Sequence, residues 1–260
     1  MGIALVTGAS SGLGREFVRK LSVDPAVKEI WAIARREDRL NQLRAISACP
    51  VRPIPLDLTN PASLDRLRAL LEEKRPVISV LVCAAGIGKM GPTQEVSLED
   101  TTAMIDLNCR SAAAVTHLCL PYLRRGSRVL EISSTSAFQP FACLNIYSAT
   151  KAFLLHYAKA LHYELRPKGI RVTAVCPYWL KDTEFIPLAK QGNLGDYRSY
   201  PFASRAKSVA ALALAANQLG LWVSTPGIVC TLHRLVSKVI PDVILVPLGD
   251  LLRQLPDGKT

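Results

Sequence analysis

Tyr147 and Lys151 stand four residues apart in the stretch YSATK. On a helix that spacing puts a phenol and an ammonium on one face, one turn apart. An ammonium beside a phenol favours the phenolate and lowers its pKa, and a group that moves protons works best with a pKa near the working pH. The same pair is also compatible with an ordinary helix surface. Its meaning therefore rests on what else the chain carries.

A second constellation lies at the front. The apolar run IALVT leads into TGASSGLG, with glycines at Gly8, Gly12 and Gly14 and with Ser10, Ser11 and Leu13 between them. A glycine-rich turn from strand to helix lets backbone approach a pyrophosphate, and the helix N-terminus adds N–H groups and a positive dipole end. At the end of the second apolar run a dinucleotide site for NAD needs an acidic side chain for the ribose 2′-hydroxyl. The sequence there is IARRED, with Arg35 and Arg36 in that place. Guanidinium binds phosphate through paired hydrogen bonds. The expected cofactor is NADP(H) in preference to NAD(H). A solvated helix start, with Glu37 and Asp38 pairing the arginines, is the alternative.

These residues need a scaffold that delivers strand ends to one edge. Short apolar runs alternate with amphipathic segments along the chain: IALVT, EIWAIA, VRPIPLD, VISVLVCAAG, SRVLEISS and IRVTAVCP are each followed by a helical pattern. Unbroken apolar strands between helices predict a parallel sheet covered on both faces. Asn60 followed by Pro61 predicts a helix start, with Asn60 as the N-cap. No repeat, low-complexity tract or linker divides the 260 residues, so one domain over 1–260 is expected.

Composition narrows the classes. Seven scattered cysteines form no CxxC and no His/Cys cluster, so no metal site is expected. With no secretion signal at the front, the expectation is reduced thiols and a cytoplasmic location. No run is apolar for the roughly 18 residues that a membrane-spanning helix needs. The net charge of +11 suits an anionic partner, a phosphorylated cofactor or an anionic membrane surface. The basic residues are dispersed and no nucleic-acid motif is present, so no nucleic acid partner is expected.

The glycine spacing and the distant YSATK together resemble the short-chain dehydrogenase/reductase family, closely over 3–177 and loosely beyond. The resemblance implies a Rossmann-type doubly wound α/β sheet of about seven strands and a homodimer or homotetramer. It implies Ser134, thirteen residues before Tyr147, as the residue that orients the substrate oxygen, and Tyr147 as the acid and base. Lys151 then tunes Tyr147 and holds the nicotinamide ribose. Asn108 in MIDLNCRSA holds a water in the proton relay. Asp57 and Leu58 match the pair beside the adenine, and Pro177 matches the proline after the sixth strand. Two places depart from the pattern. The Asn-Asn-Ala-Gly of the family reads CAAG here, so Ala84, Ala85 and Gly86 keep the cofactor loop's turn without the two Asn side chains. Tyr178 replaces the glycine after Pro177, which makes the floor near the nicotinamide bulkier.

The substrate end is expected in 178–205, where regular pattern is lost and Tyr178, Trp179, Phe185, Tyr197, Tyr200 and Phe202 gather. A long irregular stretch in a compact domain is commonly a lid. Its aromatic side chains suit an apolar, steroid-like or lipid-like alcohol or ketone, with Ser134, Tyr147, Tyr178, Trp179 and Phe185 as substrate contacts. A loop packed on its own aromatics is the plainer reading. In 228–260, Ile228, Leu232, Leu235, Val236 and Val239 keep helical spacing, with Arg234 and Lys238 polar. This predicts an amphipathic helix and an apolar tail that pack on the core, on another subunit or on a membrane surface. The expected activity is an NADP(H)-dependent oxidoreductase acting on a secondary alcohol or ketone. The alternative is a cofactor-binding regulator or scaffold without turnover.

Overall fold

The computed structural model describes residues 1–190 and 202–254. Seven strands, β1 (Gly2–Thr7), β2 (Val27–Ala34), β3 (Val51–Pro55), β4 (Ile78–Cys83), β5 (Leu123–Ile132), β6 (Arg171–Val175) and β7 (Val223–Ser224), form one sheet. Their order is β3-β2-β1-β4-β5-β6-β7, and every pair is parallel. This is the doubly wound Rossmann-like arrangement that the alternating pattern predicts.

The order reverses between β1 and β4. The chain runs outward through β2 and β3, then returns to start the other half beside β1. A crevice opens at the carboxyl ends of the strands where such a reversal occurs, and ligands of open α/β sheets bind there. The glycine-rich turn after β1 and the CAAG turn after β4 flank that crevice.

Both faces of the sheet are covered, as unbroken apolar strands require. Ile3 and Leu5 of β1 point into a core shared with α3 (Pro61–Lys74), α5 (Ala112–Cys119) and α6 (Asn145–Leu165). Ala4 and Val6, one residue out of phase, point into the opposite core with α1 (Gly12–Leu21), α2 (Glu37–Gln42) and α8 (Ala206–Gln218). The period-two alternation of a strand thus feeds two cores from one apolar run. At α3 the Asn60 Oδ1 accepts a hydrogen bond from Ala62 N at 3.0 Å, and Pro61 takes the first helical position. The sequence expectation for that cap holds.

A third, smaller cluster lies beside the crevice. Met90, Met104, Leu144, Tyr147 and Ala189 are its buried members, with Ile87, Phe141, Trp179 and Phe185 packed on them. It joins the start of α6 to α4 (Leu98–Ile105) and to a short helix, α7 (Phe185–Ala189). The segment after β6 is thus more regular than its sequence suggests. A bridge between Leu180 and Ser204 and a 2.8 Å bond from Ala206 N to Asp182 Oδ1 fasten it near both ends. Tyr197 and Tyr200 lie outside the described residues. Phe202 is exposed and does not join the cluster.

The C-terminal part differs from its expectation in one respect. The amphipathic helix α9 (Ile228–Val239) is followed by a second helix, α10 (Asp242–Gln254), in place of an apolar tail. Pro241 precedes α10 and Asp242 opens it, so the break and restart follow ordinary helix-start chemistry. No helix among the described residues is long and apolar enough to cross a membrane.

Candidate active site

The turn after β1 is built by close approach. Gly8 has φ +67°, and a Cβ there would sit 2.7 Å from the Ala84 oxygen and the Ala85 nitrogen. Gly14, one turn into α1, lies so near that a Cβ would meet the Gly8 oxygen at 2.2 Å. The first turn of α1 therefore rests directly on the glycine turn. Ser11 caps α1 with no side-chain hydrogen bond, and no acidic residue occupies the first turn. The N–H groups there have no intrahelical partner, and the helix dipole adds positive potential. That is a cradle for a pyrophosphate.

The CAAG turn explains its own departure from the family pattern. Thr7 Oγ1 accepts hydrogen bonds from both Ala84 N and Ala85 N, each at 3.1 Å. The loop is pinned from β1 rather than by side chains of its own. Cys83 points the other way, into the core, with Sγ 3.3 Å from Thr116 Oγ1. The Thr116 hydroxyl donates at 2.6 Å to Glu131, which is fully buried on β5. Burial pushes the Glu131 carboxyl up to about 7, against the pull of the Thr116 hydroxyl.

At the ribose corner the two arginines part. Arg36 Nη2 donates to Ser10 Oγ at 3.2 Å, on the edge of the glycine turn. Its Nη1 donates to Glu184 Oε2 at 3.0 Å, and Arg39 pairs with the other oxygen of the same carboxylate. Arg36 is not held by Glu37 or Asp38. Arg35 is exposed, and its charge is the smallest of the influences on Asp57. Burial raises the Asp57 carboxyl, but the Thr59 hydroxyl and N–H and the Arg35 charge outweigh it, and the group lies below its ordinary range. Asp57 Oδ1 accepts from Thr59 Oγ1 at 2.7 Å. Leu58 is buried beside it. Sequence reasoning missed Arg39. Its signal was available, since Arg36 and Arg39 at i, i+3 share a helix face.

The proton-handling group sits at the ends of β4 and β5. Tyr147 and Lys151 are both buried on α6, and Lys151 Nζ lies 5.6 Å from the centre of the Tyr147 ring. The Ser134 hydroxyl lies near enough to the Tyr147 phenol to favour its ionised form. Ser134 Oγ also accepts from Ser136 N at 3.2 Å, which turns it toward α6. Ser133 Oγ donates to the Lys151 carbonyl at 2.7 Å, and so staples α6 to the end of β5. Pro177 O accepts from Thr135 N at 3.0 Å and closes the neighbouring edge.

The electrostatics of the pair differ from the sequence expectation. Burial pushes the Tyr147 phenol well above its ordinary value, and the nearby Ser134 hydroxyl opposes this only in part. Lys151 does not bring it down, because the ammonium faces the ring and donates to Ile132 O at 2.8 Å. Burial lowers Lys151 itself to about 8, with Cys109, Glu131 and Cys176 pulling the other way. In this geometry the Tyr147 phenol keeps its proton.

Asn108 lies in a π-type turn, Asp106–Ser111, between α4 and α5. Its Nδ2 donates to Ile87 O at 2.8 Å and to Thr150 Oγ1 at 3.0 Å, while Oδ1 accepts from Ile87 N at 2.9 Å. Both amide protons are used. Thr150, which the sequence did not single out, ties Asn108 to the helix that carries Tyr147.

Over this floor lies the segment after β6. Phe185 packs on Tyr147 with ring centres 5.3 Å apart, and Trp179 joins the same cluster. Tyr178 does not: its ring meets Trp179 edge-on at 6.4 Å. Thr183 sits on the glycine turn, where a Cβ on Gly12 would be 3.2 Å from the Thr183 Cβ. Thr183 and Glu184 close one wall of a cleft of about 940 Å³ that runs past Ser10, Ser11, Gly12 and Arg36. His162 binds Val172 O and Tyr157 stacks on Phe153, so these aromatic residues of α6 serve packing.

The family model described as short chain dehydrogenase matches residues 2–191. The chain is 34% identical over 197 residues to a serine 3-dehydrogenase of Agrobacterium fabrum, covering 74% of this chain and 77% of the relative. It is 31% identical over 226 residues to an NADP-dependent 3-hydroxy acid dehydrogenase of Escherichia coli, covering 86% and 89%. A short-chain dehydrogenase from Sphingobium yanoikuyae, solved in complex with NADPH, superposes with a TM-score of 0.77 at 26% identity, covering 100% and 98%.

Proposed function

The chain belongs to the short-chain dehydrogenase family, and on that footing we propose that it is an oxidoreductase moving hydride between NADP(H) and a secondary alcohol or ketone. The observation that carries the reading is the Tyr147 phenol buried beside Lys151 on α6, with the Ser134 hydroxyl near enough to favour its ionised form. A scaffold without turnover has no use for that arrangement.

The residues around the crevice fit NADP(H). Gly8 and Gly14 let the chain's own backbone pack closely enough to set the first turn of α1 at the crevice, where its free N–H groups suit a pyrophosphate. Arg36 and Arg39 together offer two guanidiniums for a 2′-phosphate, and Asp57 is the residue we assign to the adenine side. The relative from Escherichia coli is NADP-dependent and the Sphingobium structure holds NADPH, which supports the same cofactor here. When bound, the nicotinamide supplies or accepts the hydride.

The chain's own residues handle the proton. Tyr147 gives its phenolic proton to the substrate oxygen, and the raised pKa keeps that proton in place until the oxygen becomes basic. Ser134 holds both oxygens in register. Lys151 would stabilise the phenolate that forms on turning its ammonium from Ile132 O toward the phenolic oxygen, since an unpaired charge in a buried site is costly. Asn108 positions Thr150 and, through it, the Tyr147 turn of α6. Its amide protons are used, so any water it holds must donate to one of its oxygens.

The substrate we favour is bulky and apolar. Ile87, Phe141, Trp179 and Phe185 are partly buried apolar side chains packed in one cluster with Tyr147, and apolar surface of that kind binds by area removed from water. A second reading is a small hydroxy acid, favoured by the names of the two relatives. Following NADPH absorbance with purified protein and a panel of steroid ketones, long-chain ketones, 3-oxo acids and serine separates them. Turnover of the apolar ketones at least tenfold faster in kcat/KM upholds the first reading. Preference for the acids replaces it with the second, and no turnover of any ketone or alcohol refutes both.

A further inference from the structure

Glu184 connects two regions that the sequence keeps far apart. Its carboxylate takes Arg36 on one oxygen and Arg39 on the other, across 148 and 145 residues of chain. These are the guanidiniums that a 2′-phosphate needs. Glu184 itself opens α7, whose Phe185 rests on Tyr147, and Thr183 beside it rests on Gly12. One residue thus fastens the cover of the reaction site to the reader of the cofactor. The other acids lining the same cleft are differently placed. Asp182 accepts from Ala206 N at 2.8 Å, and Asp38 is exposed on α2.

We propose that Glu184 is an internal competitor for the cofactor's 2′-phosphate, so that a phosphate-bearing cofactor takes Arg36 and Arg39 and releases the Thr183–Glu184 end of the cover. The inference rests on the reading that these arginines meet the 2′-phosphate. Charge supports the exchange. Two guanidiniums and one carboxylate leave a single positive charge for the incoming group. Displacing the carboxylate restores two, which match a phosphate dianion. A cofactor without the 2′-phosphate brings nothing to displace Glu184. Cofactor choice then acts twice, once through direct contact and once through the position of the cover.

The size of the effect follows from exposure. The paired side chains keep about 37–40% of their surface in water, so the contact is a modest one. It holds the closed arrangement by a ratio of about three to ten, and apparent affinity falls by the same ratio. The contact is also carboxylate-dependent. The Arg39 and Arg36 hydrogen bonds hold Glu184 below the ordinary carboxylate range, so the latch persists at neutral pH and is lost only well into acid.

The test uses the whole chain with 2′,5′-ADP and 5′-AMP as probes, by calorimetry and by hydrogen exchange. Glu184→Gln keeps shape and removes charge. It is expected to tighten 2′,5′-ADP about three- to tenfold and to leave 5′-AMP within twofold. In the wild type, 2′,5′-ADP should speed exchange of the Leu188 amide, which bonds Glu184 O, and 5′-AMP should not. In Glu184→Gln the faster exchange should be present without any probe. Unchanged or weaker 2′,5′-ADP binding in Glu184→Gln overturns the proposal, as does equal tightening of both probes. An Arg36→Ala, Arg39→Ala double variant separates the underlying reading. If it loses no discrimination between the probes, the arginines do not read the phosphate and both readings fall. If it loses discrimination while Glu184→Gln behaves as wild type, only the competitor falls.

Discussion

The floor of the crevice and its cover are held by different physics. The floor is made of strand ends and the start of α6, joined by buried hydrogen bonds: Thr7 to the Ala84 and Ala85 amides, Ser133 to the Lys151 carbonyl, Asn108 to Ile87 and Thr150. The cover is made of 178–190, held by half-exposed ion pairs, a few backbone bonds and the packing of Trp179 and Phe185. Buried polar contacts fix geometry because leaving them unmade is costly, whereas exposed pairs cost little to break. The floor is therefore suited to chemistry that tolerates no misplacement. The cover is suited to selection among partners.

If that division holds, substitutions in the floor strike turnover. Tyr147→Phe removes the proton donor and should lower kcat by roughly 10²–10⁴, while NADPH affinity, measured by fluorescence titration, stays within about twofold. A Phe variant with near-normal turnover takes Tyr147 out of the chemistry. The ribose corner should show the next largest effect. A charge-assisted phosphate contact is worth about 1.5–3 kcal/mol, or roughly ten- to a hundredfold. Arg36→Ala should weaken NADPH by that factor relative to NADH. Arg35→Ala, at an exposed position, should change the ratio less than about threefold. Equal effects at both positions would return the two arginines to one shared role.

The pH profile tests the floor's electrostatics. Lys151 is lowered to about 8 by burial, so its ammonium is present below that pH and lost above it. kcat/KM for ketone reduction should fall as pH rises through about 8. An ordinary lysine would carry the reaction to above pH 10. A flat profile to pH 10 would mean that Lys151 keeps its proton or is not needed. The smallest effect is structural. Thr7→Val keeps the shape but leaves two loop N–H groups without an acceptor, at a cost of about 1–2 kcal/mol in urea unfolding. A loss under about 0.3 kcal/mol would show that water replaces the hydroxyl and that Thr7 does not pin the loop.

Much of the floor was legible because its signals are local. The period of IALVT, the spacing of Gly8, Gly12 and Gly14, the Asn60–Pro61 cap and the four-residue step from Tyr147 to Lys151 each encode one piece of geometry within one turn or strand. Thr150 and Thr7 escaped notice, since a threonine before a glycine or inside a helix carries no mark of the bond it will make. The cover was legible only in outline. Aromatic enrichment marked 178–205, but it could not tell Trp179 and Phe185, which pack near Tyr147, from Phe202, which is exposed. β7 has two residues and no periodicity to read. The contact of Glu184 with Arg36 spans 148 positions and leaves no trace in either neighbourhood.

The division of labour itself is tested by one ratio, kcat/KM for a bulky ketone over kcat/KM for a small one, in wild type, Tyr147→Phe and Trp179→Ala. Tyr147→Phe should lower both values together and leave the ratio within about twofold. Trp179→Ala removes a contact worth on the order of 2 kcal/mol against a large apolar group, and should lower the ratio about tenfold through KM with kcat nearly unchanged. A ratio that moves with Tyr147→Phe, or one that stays fixed when Trp179 is removed, would contradict the separation of floor from cover.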